Sequence, residues 1–422
     1  MLNNQRNHVS QNQTATLTRK FTLLVLFLLL FTHFLTAQGT YMGSGSVTQG
    51  LGATTIANLM PSCPSNHTTP LGKITSTDKK EWVVPAETNF LAGPYASDLH
   101  NACNKFEPTT LSGVNLNNIP VKVIDSDGEV ITGFIFCDNY FELYINGTLI
   151  AVDPVPFTPF NSCVVKFKVS KPYTIAVKLV DWEENVGLGS EIQSPSVLYH
   201  PGDGGFIAQF SDGTVTDASW KTQTFYIAPI ENLSAVVELP DGTRSTAAAT
   251  TNPSCNANCY GIHYGIPLDW NTTGFNDSGW PNAILYAASK VTNSPAYTNF
   301  ALSAWPQAKF IWSSNLILDN LVLSRKTVPK STAVTSIKKT GTLGISYDSS
   351  LGIKIQTENE ITDATIRLTD AEGKLLLQWD YVSIQDHSSI ELKTENNLPS
   401  GLYLVTVDSA ELHFTSKIIV QK

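Results

Sequence analysis

The residues best placed to do chemistry are the acids and the indole of Asp181-Trp182-Glu183. They end a predicted strand and precede the glycine-rich stretch Gly187-Leu188-Gly189, so carboxylates and an aromatic ring are expected together at a sheet edge. Glycoside hydrolysis needs a pair of carboxyl groups, and an indole can stack on the apolar face of a sugar. Asp181 and Glu183 share a side of the strand but lie too close together to flank a bond alone. We predict ligand contacts at these three residues, with simple solvation of strand-end acids as the alternative.

No recognised catalytic signature accompanies these residues. The histidines between residues 41 and 328 form no H-E-x-x-H motif, and no serine or cysteine lies in a known nucleophile setting. They are His67, His100, His200 and His263. Because catalytic groups can assemble from distant positions, a hydrolase stays open, but no catalytic residue is predicted.

The cysteines form an even set, which is typical of disulfide-bonded proteins in oxidising compartments. They are Cys63, Cys103, Cys137, Cys163, Cys255 and Cys259. Connectivity cannot be deduced from sequence. Proximity favours Cys137 with Cys163 and Cys255 with Cys259, which leaves Cys63 for Cys103.

Two stretches offer metal ligands as an alternative. Cys255-x3-Cys259-x3-His263 supplies three donors but lacks the C-x2-C spacing of structural zinc sites. Asp125-Ser126-Asp127-Gly128-Glu129 has acids at alternate positions, as in half of a calcium loop, although a hairpin turn explains it as well. Phe136 stands where an EF-hand places its last glutamate. We predict no cofactor, leave a structural calcium open and assign no metal.

The elements expected to position these residues are β-strands throughout. Short runs of β-branched and aromatic residues alternate with turn residues, and no long amphipathic helix stands out. Asp-Gly and Asn-Gly pairs between apolar runs indicate hairpins. The clearest strands are 121–124, 141–145, 164–169 and 174–180, and the turn pairs are Asp127-Gly128, Asn146-Gly147, Asp212-Gly213 and Asp241-Gly242. The predicted fold class is all-β.

The N-terminus has the features of a signal peptide at residues 1–37. Arg19 and Lys20 precede an apolar run at 21–31, and small residues follow. A spanning helix needs about 20 apolar residues, so we predict cleavage between Ala37 and Gln38 and no permanent membrane span. An uncleaved anchor is the alternative. The predicted route is the Sec translocon into the oxidising periplasm.

The charge of the predicted mature chain argues against nucleic acid as a partner. The full sequence has a formal net charge of −9, and residues 1–37 contain three basic residues and no acid, so their removal leaves −12. Binding to phosphate backbones depends on clustered Lys and Arg. The basic pairs Lys79-Lys80 and Lys338-Lys339 are isolated.

Composition divides the remainder of the chain. Residues 326–343 are rich in Lys, Thr and Ser, so we predict a linker at 329–343 between a β-sandwich region at 41–328 and a domain at 344–422. Short strand candidates in that last domain indicate a small, seven-stranded immunoglobulin-like sandwich. They are 344–347, 353–356, 364–368, 375–379, 389–392, 402–407 and 414–420.

The end of the chain carries a specific pattern. Asp370-Ala371-Glu372-Gly373-Lys374 forms one turn, and Leu398-Pro399-Ser400-Gly401 forms another in which Pro presets φ and Gly relieves crowding. This second turn places Tyr403 and Val405 on one face of a strand. The pattern resembles the C-terminal sorting domain of the type IX secretion system, which implies that secretion machinery as a partner; an ordinary immunoglobulin-like module is the alternative. The motif residues are Leu398, Pro399, Gly401, Tyr403, Val405, Lys417 and Val420.

Three segments of the 41–328 region form a second pattern. Residues 138–150 comprise a strand, an Asn-Gly turn and a returning strand, 275–283 have the form F-x-D-S-x-W-x-x-A, and 310–312 form an aromatic strand. They resemble the galactose-binding-like jelly-roll sandwich of extracellular carbohydrate-binding modules. The second segment precedes the first in that family and follows it here, so we expect either one elaborated sandwich or two.

Two functional hypotheses follow. The first is a secreted or cell-surface, non-catalytic binding or adhesion protein, with a glycan as partner, delivered through the periplasm by the type IX machinery. The second is a secreted hydrolase that acts on polysaccharide with the carboxylates at 181–184. A structural surface protein without a small ligand is a third.

Overall fold

The computed structural model describes residues 40–63, 65–157, 160–330, 343–348, 352–394, 398–409 and 412–420. It divides the chain into two compact units, Met1–Lys330 and Ser331–Lys422. The predicted signal peptide and its cleavage site between Ala37 and Gln38 lie outside the described residues, as does most of the linker expected at 329–343.

The first unit is built from short strands, because runs of β-branched and aromatic residues alternate with turns rich in Gly, Asn and Pro. In chain order the strands are β1 (Ser46–Gln49), β2 (Ala53–Ile56), β3 (Leu71–Thr75), β4 (Glu81–Val84), β5 (Ser97–Asn101), β6 (Val121–Val123), β7 (Glu129–Asp138), β8 (Tyr140–Ile145), β9 (Thr148–Val152), β10 (Asn161–Val169), β11 (Tyr173–Val180), β12 (Ser190–Glu191), β13 (His200–Pro201), β14 (Gly205–Phe210), β15 (Lys221–Ile230), β16 (Val237–Glu238), β17 (Arg244–Ser245), β18 (Tyr260–His263), β19 (Ile284–Tyr286), β20 (Phe310–Trp312) and β21 (Asp319–Val328). The helical elements are one α-helical turn, α1 (Pro295–Thr298), and 3-10 turns at Ala102–Asn104, Leu111–Gly113, Leu116–Asn118, Leu233–Ala235, Asn256–Asn258 and Ala288–Lys290.

Two seven-stranded sheets dominate this unit. Sheet 1 has the order β1-β18-β15-β21-β11-β8-β9, with antiparallel neighbours. Sheet 2 has the order β19-β20-β14-β7-β10-β5, and β6 pairs with β10 in parallel. Smaller sheets are β2-β3-β4, β12-β13 and β16-β17. Both large sheets take strands from the early and the late part of the region, so the chain builds one elaborated sandwich.

Sheet 1 is covered on both faces, which explains why β8 and β11 are buried along their whole length. On β8, Phe141, Leu143 and Ile145 point into the core between the two sheets. Tyr140 and Tyr144 of the same strand point into a second cluster, which includes residues of β3 and β4. The strand therefore has the nearly continuous apolar sequence of a fully buried strand instead of an alternation with polar residues.

The four strands predicted most clearly in this unit are confirmed as β6, β8, β10 and β11. Asn146-Gly147 makes the predicted hairpin between β8 and β9, and Asp241-Gly242 lies in the turn between β16 and β17. The hairpin expected at Asp127-Gly128 is not formed. The chain does turn there, but β6 and β7 both pair with β10, on its opposite sides, and therefore do not pair with each other.

Two of the expected disulfides are present, Cys63–Cys103 and Cys255–Cys259. The second one engages both thiols of the alternative metal motif. The third member of that motif, His263, stacks against the ring of Tyr226 at 4.5 Å. Its Nε2 lies 3.0 Å from the Thr48 hydroxyl. These residues are therefore structural.

The third expected disulfide is not formed, since Cys137 and Cys163 are free and buried. Cys163 on β10 lies opposite Ile135 of β7 rather than opposite Cys137. The strand register explains why proximity in sequence did not translate into a bridge, because directly opposed side chains have the shortest Cβ separation. Both thiols belong to the core between the sheets.

The second unit has seven strands in its described residues, as predicted. They are β22 (Gly344–Asp348), β23 (Gly352–Gln356), β24 (Ile361–Asp370), β25 (Leu375–Ile384), β26 (Ser389–Leu392), β27 (Gly401–Asp408) and β28 (His413–Val420). They form a three-stranded sheet, β22-β23-β26, and a four-stranded sheet, β25-β24-β27-β28. One apolar cluster contains residues from both sheets, as in a sandwich.

The turn at Leu398-Pro399 is fixed by two tyrosines. The Tyr403 hydroxyl donates to the Pro399 carbonyl at 2.9 Å, and the Leu398 N–H donates to the Tyr347 hydroxyl at 3.0 Å. Tyr403 and Val405 are buried on the same face of β27, as predicted. Across the final hairpin, Gly401 pairs with Val420 and Leu404 pairs with Lys417.

Candidate functional site

The structure buries the three residues predicted to contact a ligand. Asp181, Trp182 and Glu183 directly follow β11 and are 3%, 2% and 0% exposed. The Trp182 Nε1–H donates to the Pro70 carbonyl at 3.2 Å, and its ring packs edge-on against Tyr140. Trp182 is thus part of the core and presents no open face to a sugar.

Glu183 fixes the glycine-rich loop that follows it. Its Oε1 accepts the Gly187 N–H at 2.8 Å, and its Oε2 accepts the Gly189 N–H and, at 3.2 Å, the Tyr226 hydroxyl. Burial raises the pKa of Glu183 to about 7, and these donors act in the opposite direction. Both glycines have positive φ, and a Cβ on Gly189 would collide with the side chain of Asn320. The role that this geometry gives Glu183 is to hold the loop.

Asp181 belongs to a group of four carboxyl groups, Asp138, Asp181, Glu191 and Asp203, which we call the acidic cluster. The end of β7 and the end of β11 meet there, because the Asn139 side chain accepts the Trp182 N–H at 2.6 Å. Burial, followed by repulsion from the other carboxylates, raises the pKa of Asp138 and Asp181 well above the usual range and that of Asp203 to about 7. Within the described residues, the buried Oδ2 of Asp138 has no hydrogen-bond partner.

Two histidines lie beside the acidic cluster. His200 Nδ1 is 3.5 Å from Glu191 Oε1, and His67 Nδ1 is 2.9 Å from Glu184 Oε2. Burial raises the pKa of Glu191, and the histidines oppose that shift. Over the part of the chain that the structure describes, no three His, Cys, Asp or Glu side chains are arranged to hold a metal ion. The carboxylate of Asp125, in the calcium-like stretch, accepts the Ser170 N–H at 2.9 Å.

An open cleft of about 540 Å³ lies beside β15, and we call it the β15 cleft. Its lining comes from β15, the β16–β17 hairpin, the segment before β19 and the residues after β20. Most of the lining side chains carry a hydroxyl, an amide or a charge. They are Lys221, Thr222, Gln223, Thr224, Asp241, Thr243, Arg244, Ser278, Trp280, Pro281, Asn282, Ile284, Ser313 and Ser314.

Hydrogen bonds tie the walls of the cleft to β15. The Lys221 ammonium donates to the Trp280 carbonyl at 3.0 Å, and the Thr222 N–H donates to the Pro281 carbonyl at 2.9 Å. The Gln223 amide donates to the Gly242 carbonyl at 2.9 Å and so anchors the hairpin. The Trp280 ring packs edge-on against Phe225 and leaves 9% of its surface exposed.

Asp319 lies fully buried behind this lining. Its Oδ2 accepts the hydroxyls of Thr224 at 3.0 Å and Ser313 at 2.7 Å. The Ser314 hydroxyl lies 3.3 Å from the same oxygen and makes its shorter hydrogen bond to the Arg244 carbonyl at 2.8 Å. Burial raises the pKa of Asp319 to about 6, and these hydrogen bonds oppose the shift. Because the Ser314 proton is engaged within the fold and its side chain is exposed, the lone pairs of this oxygen are left to accept a hydrogen bond from a ligand.

Arg244 contributes a cation to the cleft. Its guanidinium lies over the ring of Tyr264 at 3.6 Å and over that of Phe225 at 4.9 Å. One Nη donates to the Thr224 carbonyl. Burial lowers the pKa of Arg244, which remains charged because guanidinium does not deprotonate in proteins.

Most of the cleft residues were missed by the sequence prediction. Trp280 was singled out by its F-x-D-S-x-W context, but Lys221, Gln223, Arg244 and Ser314 come from three separated segments with no shared motif. They meet because β15 of sheet 1 runs beside the segment that leads into β19 of sheet 2. An isolated bridge pairs Lys221 with Asn282 at this point.

The fold defines an all-β protein with a large sandwich unit followed by a small one. Residues 348–421 match the family of secretion system C-terminal sorting domains. The second unit is therefore a type IX secretion sorting domain, as its sequence pattern predicted, and the protein is exported to the cell surface or secreted. No described helix is long and apolar enough to cross a membrane.

Comparison with solved structures gives distant likenesses. They include a beta-glucuronidase of Ruminococcus gnavus at 10% identity, covering 70% of this chain and 33% of that one with a TM-score of 0.13. A beta-glucuronidase of Faecalibacterium prausnitzii has 11% identity, coverage of 90% and 46% and a TM-score of 0.14. The BSP domain of a biofilm-associated protein has 9% identity, coverage of 91% and 68% and a TM-score of 0.15.

The chain spans less than half the length of these two glucuronidases. Likenesses at such TM-scores carry no argument about the activity of this chain. No protein of curated function matches the sequence.

Proposed function

We propose that the protein is an extracellular, non-catalytic binding protein whose β15 cleft takes a glycan. The observation that carries this proposal is the lining of the cleft, where side-chain hydroxyls, amides and two cations surround about 540 Å³ of open space. Small-molecule sites commonly occupy about 300–1,000 Å³ and fix their ligands with a few placed polar groups. Delivery by the sorting domain puts this cleft outside the cell, where polysaccharides are available.

Hydrogen-bonding capacity supports a polyhydroxylated ligand. The exposed Ser314 hydroxyl donates to the Arg244 carbonyl at 2.8 Å and so offers its oxygen as an acceptor to a sugar hydroxyl. Lys221 and Arg244 retain donors beyond those used in the fold. A sugar ring presents both donors and acceptors around its edge, which suits a lining of this mixed kind.

A hydrolase that uses the acids at 181–184 is the second candidate. The raised pKa of Asp181 and of Asp203, about 7 for the latter, favours it, since a general acid must hold its proton near neutral pH. The burial of Asp181 and the loop-holding role of Glu183 weigh against contact with a polymer. We therefore rank binding first.

The two candidates separate in one set of measurements on the full secreted protein. Glycan-array binding followed by calorimetry should identify a ligand, and Asn282→Ala combined with Ser314→Ala should weaken it by about tenfold. Both side chains are exposed, so the fold should persist. Asn66→Ala combined with Ser289→Ala, two exposed positions outside the cleft, is the matched control.

Equal affinity in the cleft variant and the control would overturn the cleft assignment. Release of new reducing ends from a polysaccharide, abolished by Asp181→Asn, would establish the hydrolase in place of a non-catalytic protein. Absence of both binding and release would remove the glycan from the proposal.

A further inference from the structure

We infer that the ligand of the β15 cleft is an acidic glycan, whose carboxylate or sulfate group is bound by Arg244 and Lys221. This inference rests on the proposed function and names the class of glycan. Its basis is the arrangement of charge around the cleft.

Arg244 is a preorganised cation that forms no direct ion pair, although the carboxylates of Glu238 and Asp319 lie near enough to raise its pKa. Among the described residues it makes no ion pair within 4.0 Å. The rings of Tyr264 and Phe225 and the Thr224 carbonyl fix the plane of its guanidinium. A guanidinium has five N–H donors in a rigid fork that matches the oxygens of a carboxylate or sulfate. The bond to Thr224 leaves donors for such an anion.

Lys221 supplies a second cation to the same lining. Its ammonium has three donors, of which one is directed to the Trp280 carbonyl at 3.0 Å. No acid lies within ion-pair distance of Lys221 among the residues that the structure describes. The cleft thus has two cations that the fold leaves without a salt bridge.

The acids near Arg244 accept hydrogen bonds from groups other than its guanidinium. Glu238 accepts the Tyr41 hydroxyl at 2.6 Å and the Ser44 N–H at 2.7 Å. Asp319 accepts the hydroxyls of Thr224 and Ser313 on one of its oxygens from behind the lining. Asp241 is the one acid of the cleft lining and accepts the Thr243 N–H at 2.9 Å in an exposed turn.

The negative net charge of the whole chain separates specific binding of an acidic glycan from nonspecific attraction. A formal net charge of −9 repels polyanions at long range, so nonspecific attraction to an acidic polysaccharide is disfavoured. Any acidic polymer that binds must therefore find a local cationic site. A neutral sugar has no anionic group that could form a direct ion pair with Arg244.

The experiment uses two matched polymer pairs with the full secreted protein in affinity electrophoresis. Polygalacturonate is compared with its fully methyl-esterified form, and sulfated dextran is compared with dextran. The charged member of at least one pair should bind about tenfold more tightly than its neutral counterpart. The first pair tests a carboxylate and the second a sulfate, so the two arms distinguish the sources of the anion.

Variants then locate the site. Lys221→Gln and Arg244→Gln should each weaken binding of the charged polymer by about tenfold or more, and Arg244→Lys should recover only part because an ammonium lacks the planar fork. Lys309→Gln removes an exposed cation outside the cleft and should leave affinity unchanged. Thermal unfolding shows whether the Arg244→Gln protein is folded. If it is unfolded, the effect of Lys221→Gln on binding decides the test.

Equal binding of both members of each pair through the cleft would overturn the acidic class while leaving glycan binding in place. Charged-polymer binding that survives Lys221→Gln in a folded protein would also overturn it. If no polymer of either kind binds, the proposed function itself fails, and the inference fails with it.

Discussion

Glu183 accepts the N–H of Gly187 at 2.8 Å and thereby closes the loop that follows β11. The same carboxylate also accepts the Gly189 N–H and the Tyr226 hydroxyl. Glu183, which the sequence analysis predicted to contact a ligand, is thus hydrogen-bonded to the backbone of the loop that follows it.

We expect Glu183→Ala to lower the free energy of unfolding by about 3 kcal/mol, because buried backbone donors and a tyrosine hydroxyl would lose their acceptor. Chemical denaturation followed by tryptophan fluorescence measures the change. Glu129→Ala removes an exposed carboxylate on β7 and should change stability little. A loss no larger than that of the control would mean that Glu183 does not hold the loop.

The acidic cluster should make stability depend on pH. Asp203 has a folded pKa of about 7 against an ordinary value of 3.8, so the folded state binds more protons than the unfolded chain between these values. Its contribution to the free energy of unfolding is therefore lost as pH rises from about 4 to about 7.

We expect Asp203→Asn to reduce this decline by about 2 kcal/mol, allowing for partial exposure of the carboxyl group. Urea midpoints at pH 4.5 and 7.5, at equal ionic strength, measure the difference. Asp269→Asn, at an exposed aspartate, is the control. Identical pH dependence in wild type and Asp203→Asn would contradict the raised pKa.

The free thiols should be unreactive until the protein unfolds. Cys137 and Cys163 are 1% and 0% exposed, and burial raises the pKa of each well above its usual range, which keeps them as thiols. We expect no labelling by iodoacetamide in the native protein and labelling of both in denaturant. Mass spectrometry after proteolysis identifies the labelled positions, and reduced, denatured protein provides the fully labelled reference. A peptide containing a Cys137–Cys163 bridge would contradict the structure.

Sorting should depend on the folded second unit. We expect Val405→Asp to place a carboxylate in the apolar core of that unit, at a position that is 0% exposed, and to unfold it. The protein should then be retained in the cell envelope instead of reaching the surface or medium, as fractionation and immunoblotting would show. Leu375→Asp, at a side chain that is 51% exposed, should still be delivered. Normal delivery of the Val405→Asp protein would show that this core is not needed.

The second unit could be predicted from sequence nearly strand by strand, because its strands follow one another along the chain and are separated by short turns. Tyr403 and Val405 illustrate this, since their spacing alone places both on one face of β27. The strands of the first unit were harder to predict from sequence. Burial of sheet 1 on both faces removes the alternation that distinguishes strands such as β8 and β11 from other apolar runs.

The candidate sites show the same division. Sequence placed Asp181 and Glu183 together at the end of a strand, but it did not indicate that Asp138, Glu191 and Asp203 lie near Asp181. Sequence also did not indicate that Trp182 is buried in the core, because a tryptophan can either be buried or stack on a ligand, and its sequence context does not distinguish the two. Nor could it find the β15 cleft, where Lys221 of β15 and Arg244 of the β16–β17 hairpin line one space, because no local pattern encodes the packing of these two elements.

The first strand of the described fold has its partner far along the chain. Thr48 of β1 donates its hydroxyl to the Gly261 carbonyl, 213 residues away in sequence, and β1 pairs only with β18 within sheet 1. Synthesis begins at the N-terminus, so this edge must wait unpaired while nearly all of the sandwich is made. Non-local pairing of this kind slows folding. The amino-terminal edge of sheet 1 therefore cannot close before the chain is complete as far as β18.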